Sequence, residues 1–483
     1  MNGGTERRLG SWAGQVAVTL GLLGVRLPTL GDPHVWDALS CYLSQARLMV
    51  ANGLHWAAYR PLPFVRPPVI PASIAALLVL GASRPLLHLY MCLWAVLALL
   101  GVHAICRALG GGRGTAVLAM ALCAATPLFL AQTGLVQTDL PAAALCAWAW
   151  ALLLRRQVVA FALVGSLAVL TKESSYYLCL PAALLLVVRE GGWTALLRPR
   201  ALVRALPAIV PGLVLLIWLL AHRQLTGHLV APDHRAALFT PGRVLAALLH
   251  NFVEGGRWCL VLAGAVGLRA AWRGPLHMEA LMTGIAAAAL PLCFAGLPPR
   301  YMLPSLPPLC ALAALGLHAL PCRRAVGATV LLFLWLVLGW DGDSWHDNSG
   351  HHLESNLAYR RLIRLYQEAA RVLAAEQPVG VIADFPLQDV LRAPPEDGYL
   401  PTPLRVTSVS DPWTLETLCH HDFLVEAAGG SVAAAKQALQ ARGALSLWRV
   451  IGRAEGEVGA GRTTPPWARV DHRVYLYRVR CSP

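Results

Sequence analysis

Five short stretches of this chain place ionisable side chains among apolar and aromatic neighbours. Asp37 sits in "HVWDALSCYLSQARLMV" (34–50), Arg66 in "YRPLPFVRPPVI" (59–70) and Asp139 in "QTGLVQTDLPAAAL" (132–145). Lys172 sits in "LAVLTKESSYYL" (167–178), and Arg300 with Tyr301 in "GLPPRYMLPSLPPL" (296–309). A charge at or inside an apolar layer is expensive and marks a functional position by default. Each of these residues also has an ordinary structural explanation. Asp37 opens a segment, 36–51, patterned as an amphipathic helix with Asp37, Cys41 and Ser44 on one face. It is therefore either a first-turn acid favoured by the helix dipole or a reactive carboxylate. Arg66 precedes Pro67 and Pro68, which keep the backbone extended. Its rigid fork suits phosphate oxygens, or its tip reaches lipid headgroups as an anchor. Asp139 either caps the helix whose first turn holds Pro141 or faces a site. Lys172 has Glu173 beside it as a candidate partner. Arg300 and Tyr301 lie in a proline-rich segment expected to be non-helical. Such backbone survives in a membrane only where it is buried in protein or lines a cavity.

One or two carboxylates facing several cations suit group transfer from an anionic, lipid-linked donor. Cations stabilise the departing phosphate. A carboxylate takes the proton of the attacking hydroxyl as general base. Asp37 ranks first for that base and Asp139 second. Arg66, Lys172 and Arg300, with Tyr301 and Tyr59, are the candidates for holding the donor phosphate.

The elements that must position these residues are membrane helices. The chain has 483 residues, 57% of them hydrophobic and only 14% charged, and its mean hydropathy is +0.55. Apolar runs of spanning length recur from residue 12 to residue 341. Spans are expected near 12–30, 84–106, 115–135, 140–154, 157–171, 176–188, 203–221, 258–271, 277–295, 301–320 and 325–341, eleven in all. The net charge of +14 is nearly all arginine; Lys172 and Lys436 are the only lysines. It is spread through short connectors such as "CRALGGGRG", "LRRQ" and "CRR" rather than gathered in one basic segment, so nucleic acid is not the expected partner. The positive-inside rule puts those connectors and the N-terminus in the cytoplasm. The apolar stretch 68–82 has 15 residues, short of the ~20 needed to cross. Laid along the outer leaflet instead, it leaves Asp37, Arg66, Asp139, Lys172 and Arg300 all near the outer face. The expected architecture is a polytopic α-helical membrane domain over 1–341, with an outer first loop at 31–83, followed by an extracytoplasmic α/β domain over 342–483.

That C-terminal part carries more charge and shorter apolar runs. A helix is expected over 354–377 and another over 431–442, with strands in "VGVIADF", "HDFLVEAA", "LSLWRVIG" and "RVYLYRV". "WHDNSGHH" (His346, Asp347, His351, His352) and "CHHD" (Cys419, His420, His421, Asp422) hold ligand-type residues without zinc spacing. No CxxC pair occurs among the twelve cysteines. Cys419 and Cys481 can pair in an oxidising compartment. No glycine-rich phosphate loop precedes a helix here, which argues against a nucleotide-sugar site.

The ordered set of motifs resembles the GT-C membrane glycosyltransferases, close to the family 39 group. That group contains the dolichyl-phosphate-mannose protein mannosyltransferases, and the lipid A aminoarabinose transferase is a relative. The resemblance covers roughly residues 12–320. It rests on Asp37 in the first outer loop, "VRPP" with Arg66, Asp139 after the third span, "LTK" with Lys172, and "RYMLPSLP" with Arg300 and Tyr301. The resemblance implies a polyprenyl-phosphate-sugar donor used outside the cytoplasm, inversion at the anomeric carbon, and a lipid, glycan or protein acceptor. It implies that Asp37 is the catalytic acid position and that Arg66, Lys172 and Arg300 meet the carrier phosphate. A bacterial inner-membrane location goes with it. The family often has Asp-Glu where this chain has Asp37 followed by Ala38, so neither a catalytic metal nor another cofactor is expected. Two other classes compete with a glycosyltransferase: a transporter or flippase for lipid-linked sugars, and a non-catalytic membrane assembly protein. The first should show repeated halves and mid-membrane polar groups, and the chain shows neither. The second has no use for Arg66, Lys172 and Arg300 together.

Overall fold

The computed structural model describes residues 3–53, 65–229, 257–293, 299–338, 357, 359–427, 432–452 and 473–481. Tyr59 and the stretch holding His346, Asp347, His351 and His352 lie outside them. The chain opens with α1 (Gly3–Arg26). Where the sequence predicts one α-helix over 36–51, a π-helical segment, Ala38–Leu43, leads into α2 (Ser44–Asn52). The i→i+5 winding displaces the i, i+4, i+7 register that would have put Asp37, Cys41 and Ser44 on one face. Ser44 Oγ accordingly donates to the carbonyl of Leu39, five residues back.

α3 (Val69–Val79) has 11 residues, about 16 Å of rise against a hydrocarbon core of ~30 Å. α4 (Arg84–Ala108) follows. The stretch 115–135, expected as one span, is split into α5 (Arg113–Ala125) and α6 (Pro127–Gln132). The break falls at Thr126, whose backbone is extended because Pro127 disfavours the helical region in the residue before it. Then come α7 (Asp139–Leu154), α8 (Val158–Val169), α9 (Cys179–Val188) and α10 (Pro199–Thr226). The bundle ends with α11 (Arg257–Ala271), α12 (His277–Cys293), α13 (Leu306–His318) and α14 (Cys322–Leu338). Short 3₁₀ turns, Glu173–Leu178 and Pro299–Ser305, lead into α9 and α13. The proline-rich segment around Arg300 is thus helical in the tighter 3₁₀ form rather than irregular.

Among the described residues, Arg84–Ala108, Pro199–Thr226 and the continuous stretch Arg300–His318 are long and apolar enough to cross a membrane. This is a helical membrane protein. α7 and α13 are buried along almost their whole length and form its centre. α4 packs on α7, and α11 on α13. The α11–α13 contact is backbone to backbone. A Cβ on Gly267 would lie 2.1 Å from the Leu312 carbonyl oxygen, and one on Gly316 would lie 1.9 Å from that of Ala263. Small residues at such crossings let helices associate by close packing where lipid offers no hydrophobic drive. α10 instead exposes Leu213, Leu216, Ile217 and Leu220, an apolar face suited to lipid.

The C-terminal residues build a five-stranded sheet on one amphipathic helix. α15 (Tyr359–Ala375) buries Leu362, Ile363, Tyr366, Ala369, Ala370 and Leu373 at helical spacing. β1 (Val381–Ala383), α16 (Leu387–Arg392), β2 (Val406–Ser408), α17 (Leu415–Cys419), β3 (Phe423–Ala427), α18 (Ala433–Ala441), β4 (Leu445–Ile451) and β5 (Val474–Val479) follow. The sheet order is β2-β1-β3-β5-β4. β1 is parallel to β2 and β3, while β5 is antiparallel to β3 and β4. β2 is too short to have a pattern of its own and was not expected. Cys419 and Cys481 form a disulfide. Two other residues of "CHHD" have structural partners: His421 bonds Thr407 and the Thr417 carbonyl, and Asp422 accepts from the Val379 amide.

Candidate active site

Two acid–base pairs meet around one tyrosine. Arg300 Nη2 donates to Asp37 Oδ2 at 2.7 Å, with the two side chains 10% and 16% exposed. Lys172 Nζ pairs with Asp139 Oδ1, and these side chains are 7% and 1% exposed. Tyr301 lies between them. Its ring centroid is 3.4 Å from Lys172 Nζ and 5.7 Å from the Arg300 guanidinium carbon. The ring's negative face partly compensates a lysine removed from water.

Each partner comes from a different element, and local chemistry fixes each one. Asp37 immediately precedes the π-helical segment and makes no capping bond to it, so its carboxylate is directed to tertiary partners. Asp139 is the first residue of α7; Thr138 occupies the cap position, and neither residue makes a side-chain cap bond. The cap expected of Asp139 is replaced by its bond to Lys172. Lys172 stands at the head of the 3₁₀ turn 173–178 in extended conformation, and its partner is Asp139 rather than the adjacent Glu173. Tyr177, from the same turn, donates to the Pro304 carbonyl at 3.1 Å. That bond ties the turn carrying Lys172 to the one carrying Arg300 and Tyr301.

Arg66 is set by its backbone. The buried Gln45 receives the Arg66 amide on Oε1 at 2.9 Å and donates Nε2 to the Arg66 carbonyl at 3.0 Å. The guanidinium is thereby held within electrostatic reach of Tyr42, Tyr301 and Asp37. Tyr42 shares a 3.0 Å hydroxyl bond with Thr138, next to Asp139. Asp37, Arg66, Asp139, Lys172, Arg300 and Tyr301 therefore share one neighbourhood, and Tyr59 lies outside the described residues. Gln45, Tyr42 and Thr138 were not singled out from sequence, because a polar residue inside an amphipathic pattern looks solvated until its partner is known. Asp139 Oδ2 and the hydroxyl of Ser174 are buried without a hydrogen-bond partner among the described residues. Those unused groups beside a buried pair suit a polar ligand or water.

The C-terminal sheet region closes over the same end of the bundle. Arg360 on α15 pairs with Asp32 at 2.8 Å, and Arg26, at the end of α1, donates to the Tyr359 hydroxyl at 3.0 Å. Arg47 on α2 pairs with Asp397 at 2.7 Å, and the His34 amide donates to the Asp397 carbonyl. His34 stacks on His88 with centroids 5.0 Å apart. Burial first, then the neighbouring His88, Arg84 and Arg47, holds the His34 imidazole well below its usual pKa, so it is neutral.

Among the described residues no cluster of three or more His, Cys, Asp or Glu could hold a metal ion. The arrangement provides carboxylates for proton transfer and fixed cations for an anion.

No family model and no curated protein matches the chain. Solved structures do. ArnT from Cupriavidus metallidurans, bound to undecaprenyl phosphate, superposes with a TM-score of 0.58 at 17% identity over 95% of this chain and 97% of that one. The oligosaccharyltransferase of Archaeoglobus fulgidus in the apo form gives 0.53 at 12% identity, over 86% of this chain and 69% of that one. The same organism's AglB in complex with an inhibitory peptide and a dolichol-phosphate gives 0.53 at 12%, over 87% and 69%. At such identities the likeness establishes the fold, which is that of the GT-C enzymes.

Proposed function

We propose that this GT-C-fold protein is an integral-membrane glycosyltransferase. It moves a sugar from a polyprenyl-phosphate carrier to an acceptor hydroxyl on a lipid, glycan or protein. The observation that carries this reading is the Asp37–Arg300 pair beside Arg66 and the Lys172–Asp139 pair, all around Tyr301. A carboxylate and fixed cations gathered in one neighbourhood are the two kinds of group that the displacement needs, a base for the attacking hydroxyl and positive charge for the leaving phosphate.

The residues divide the work as follows. Arg66 and Arg300 receive the donor phosphate, and Arg300 turns part of its fork from Asp37 to the phosphate as it binds. The acceptor oxygen bonds to the anomeric carbon as the carbon–oxygen bond to phosphate breaks, and its proton passes to Asp37. The leaving phosphate keeps the bonding electron pair, and the fixed guanidinium groups stabilise its growing charge. Lys172 contributes less to phosphate, because its pair with Asp139 is the more deeply buried of the two, with side chains 7% and 1% exposed against 10% and 16% for Arg300 and Asp37. For the same reason Asp139 is the weaker candidate for the base.

The reaction takes place on the outer face of a bacterial inner membrane, with the N-terminus in the cytoplasm, eleven spans over 1–341 and the 342–483 domain outside. The Cys419–Cys481 disulfide supports that side, since such bonds persist in oxidising compartments. The test uses purified protein in lipid, a panel of radiolabelled polyprenyl-phosphate sugars and a panel of hydroxyl acceptors. Asp37→Asn should bind donor normally and lose turnover by ~10²–10⁴-fold, the usual contribution of a general base. Wild-type turnover in Asp37→Asn, with none in Asp139→Asn, would transfer the role to Asp139.

A further inference from the structure

A carboxylate that accepts a proton must lose it before the next turnover. Asp37 is held against Arg300 with its side chain 16% exposed. One helix of the C-terminal region reaches the segment that follows it. α16 packs on the π-helical segment that Asp37 begins, as well as on α15, β1 and β2. Leu387, Val390 and Leu391 are buried and seat this helix. Asp389, between them in sequence, is partly exposed, yet its Oδ2 is buried and has no hydrogen-bond partner among the described residues. The cation nearest in sequence, Arg392, is already occupied: its Nε and Nη2 donate to the Val406 carbonyl at 3.2 and 2.7 Å. Burial raises the Asp389 carboxyl to about 6; Arg392 on its own helix opposes that, while Asp37 and Asp384, from the turn before the helix, add to it. A half-buried carboxylate with an unsatisfied oxygen weakens folding and returns no contact in exchange. Its helix docks on the segment that follows Asp37, and its carboxyl lies within electrostatic reach of that residue, which gives it a different use.

We propose that Asp389 is a proton-relay and positioning residue for Asp37, taking up the proton after each sugar transfer and releasing it to solvent. This rests on Asp37 being the base. The balance is simple. The acceptor O–H bond breaks and its proton goes to the Asp37 carboxylate. It then passes through water from Asp37 to the Asp389 carboxylate, and from the exposed side of Asp389 to bulk water. Asp37 is left ionised and ready, and no electron changes hands. A carboxyl titrating near 6 both accepts and releases a proton close to neutral pH, which an ordinary carboxylate does poorly. The C-terminal region is then part of the active centre rather than an appendage to it.

The test uses the full-length protein in lipid with a donor–acceptor pair that the wild type turns over. Turnover, KM and the pH profile are measured for wild type, Asp389→Asn, Asp389→Glu and Asp37→Asn, together with thermal unfolding. Asp389→Asn should be at least as stable as wild type at pH 7.5, because a buried charge is gone. Both KM values should hold within about twofold while kcat falls roughly tenfold or more and the acid limb near pH 6 is lost. Asp389→Glu should restore most of kcat, and added formate should partly rescue Asp389→Asn. Wild-type kcat and pH profile in Asp389→Asn, with Asp37→Asn inactive, overturns the relay alone. An active Asp37→Asn overturns the underlying assignment of the base. Loss of kcat in Asp389→Asn that parallels lost stability, without rescue by Glu or formate, makes Asp389 structural and also overturns the relay.

Discussion

Replacing Asp139 with Asn separates a structural carboxylate from a reactive one. The Asp139 side chain is 1% exposed and its partner Lys172 is 7% exposed, so neither charge is appreciably hydrated. Removing one partner of a buried pair typically costs about 3–5 kcal/mol, because the other charge stays buried and uncompensated. Here the Tyr301 ring, 3.4 Å from Lys172 Nζ, returns some of that; a cation–π contact is worth about 0.5–2 kcal/mol. Asp139→Asn should therefore destabilise the protein by about 1–4.5 kcal/mol. Lys172→Met should do comparable damage by stranding Asp139. The double variant Asp139→Asn/Lys172→Met should recover most of the loss, since an apolar or neutral pair is tolerated where a lone charge is not. Thermal unfolding of the four proteins in one detergent gives the coupling by a double-mutant cycle. Turnover measured on the same samples should track the folded fraction. If Asp139→Asn is as stable as wild type and yet inactive, the pair is not structural and Asp139 takes part in the reaction.

Three further outcomes are expected. Arg66→Ala and Arg300→Ala should each raise the donor KM about tenfold or more, the usual cost of ~1.5–3 kcal/mol for a lost charge-assisted bond; donor saturation unchanged in both would remove them from the phosphate site. His34 stays neutral in the fold while the unfolded chain protonates below its ordinary pKa of 6.5. Its contribution therefore weakens as pH falls below that value, by at most about 1.4 kcal/mol per pH unit. Asp389, raised by burial, acts in the opposite direction, so the difference in stability between wild type and His34→Gln isolates the histidine; a flat difference between pH 5 and 7 would contradict this. Reducing the Cys419–Cys481 bond, which closes a separation of 62 residues, should destabilise the sheet by up to about 4 kcal/mol on the chain-entropy account, seen as a lower unfolding midpoint in dithiothreitol but not in a Cys419→Ala/Cys481→Ala variant.

Periodicity and composition carried much of this molecule. Long apolar runs with arginine-bearing connectors lead directly to helices, because a span must satisfy its backbone internally. Part of the C-terminal pattern was readable for the same kind of reason: β3, β4 and β5 and the helix Tyr359–Ala375 each carry enough residues to show a period. The costly charges, Asp37, Arg66, Asp139, Lys172 and Arg300, stood out because an apolar chain has few reasons to keep them. What the sequence could not supply was who faces whom. Lys172 has an acid next to it, but an extended residue at the head of a 3₁₀ turn points its side chain away from its neighbour, and the partner comes from 33 residues earlier. Arg300 reaches across 263 residues to Asp37. The π-winding after Asp37 follows no hydrophobic period, so its altered register is visible only in three dimensions. Asp389 in "FPLQDVLR" looks like any surface acid on a short helix. Only the docking of that helix on the segment after Asp37 brings its carboxyl within electrostatic reach of Asp37, because electrostatic neighbourhood is fixed by distance in space and not along the chain.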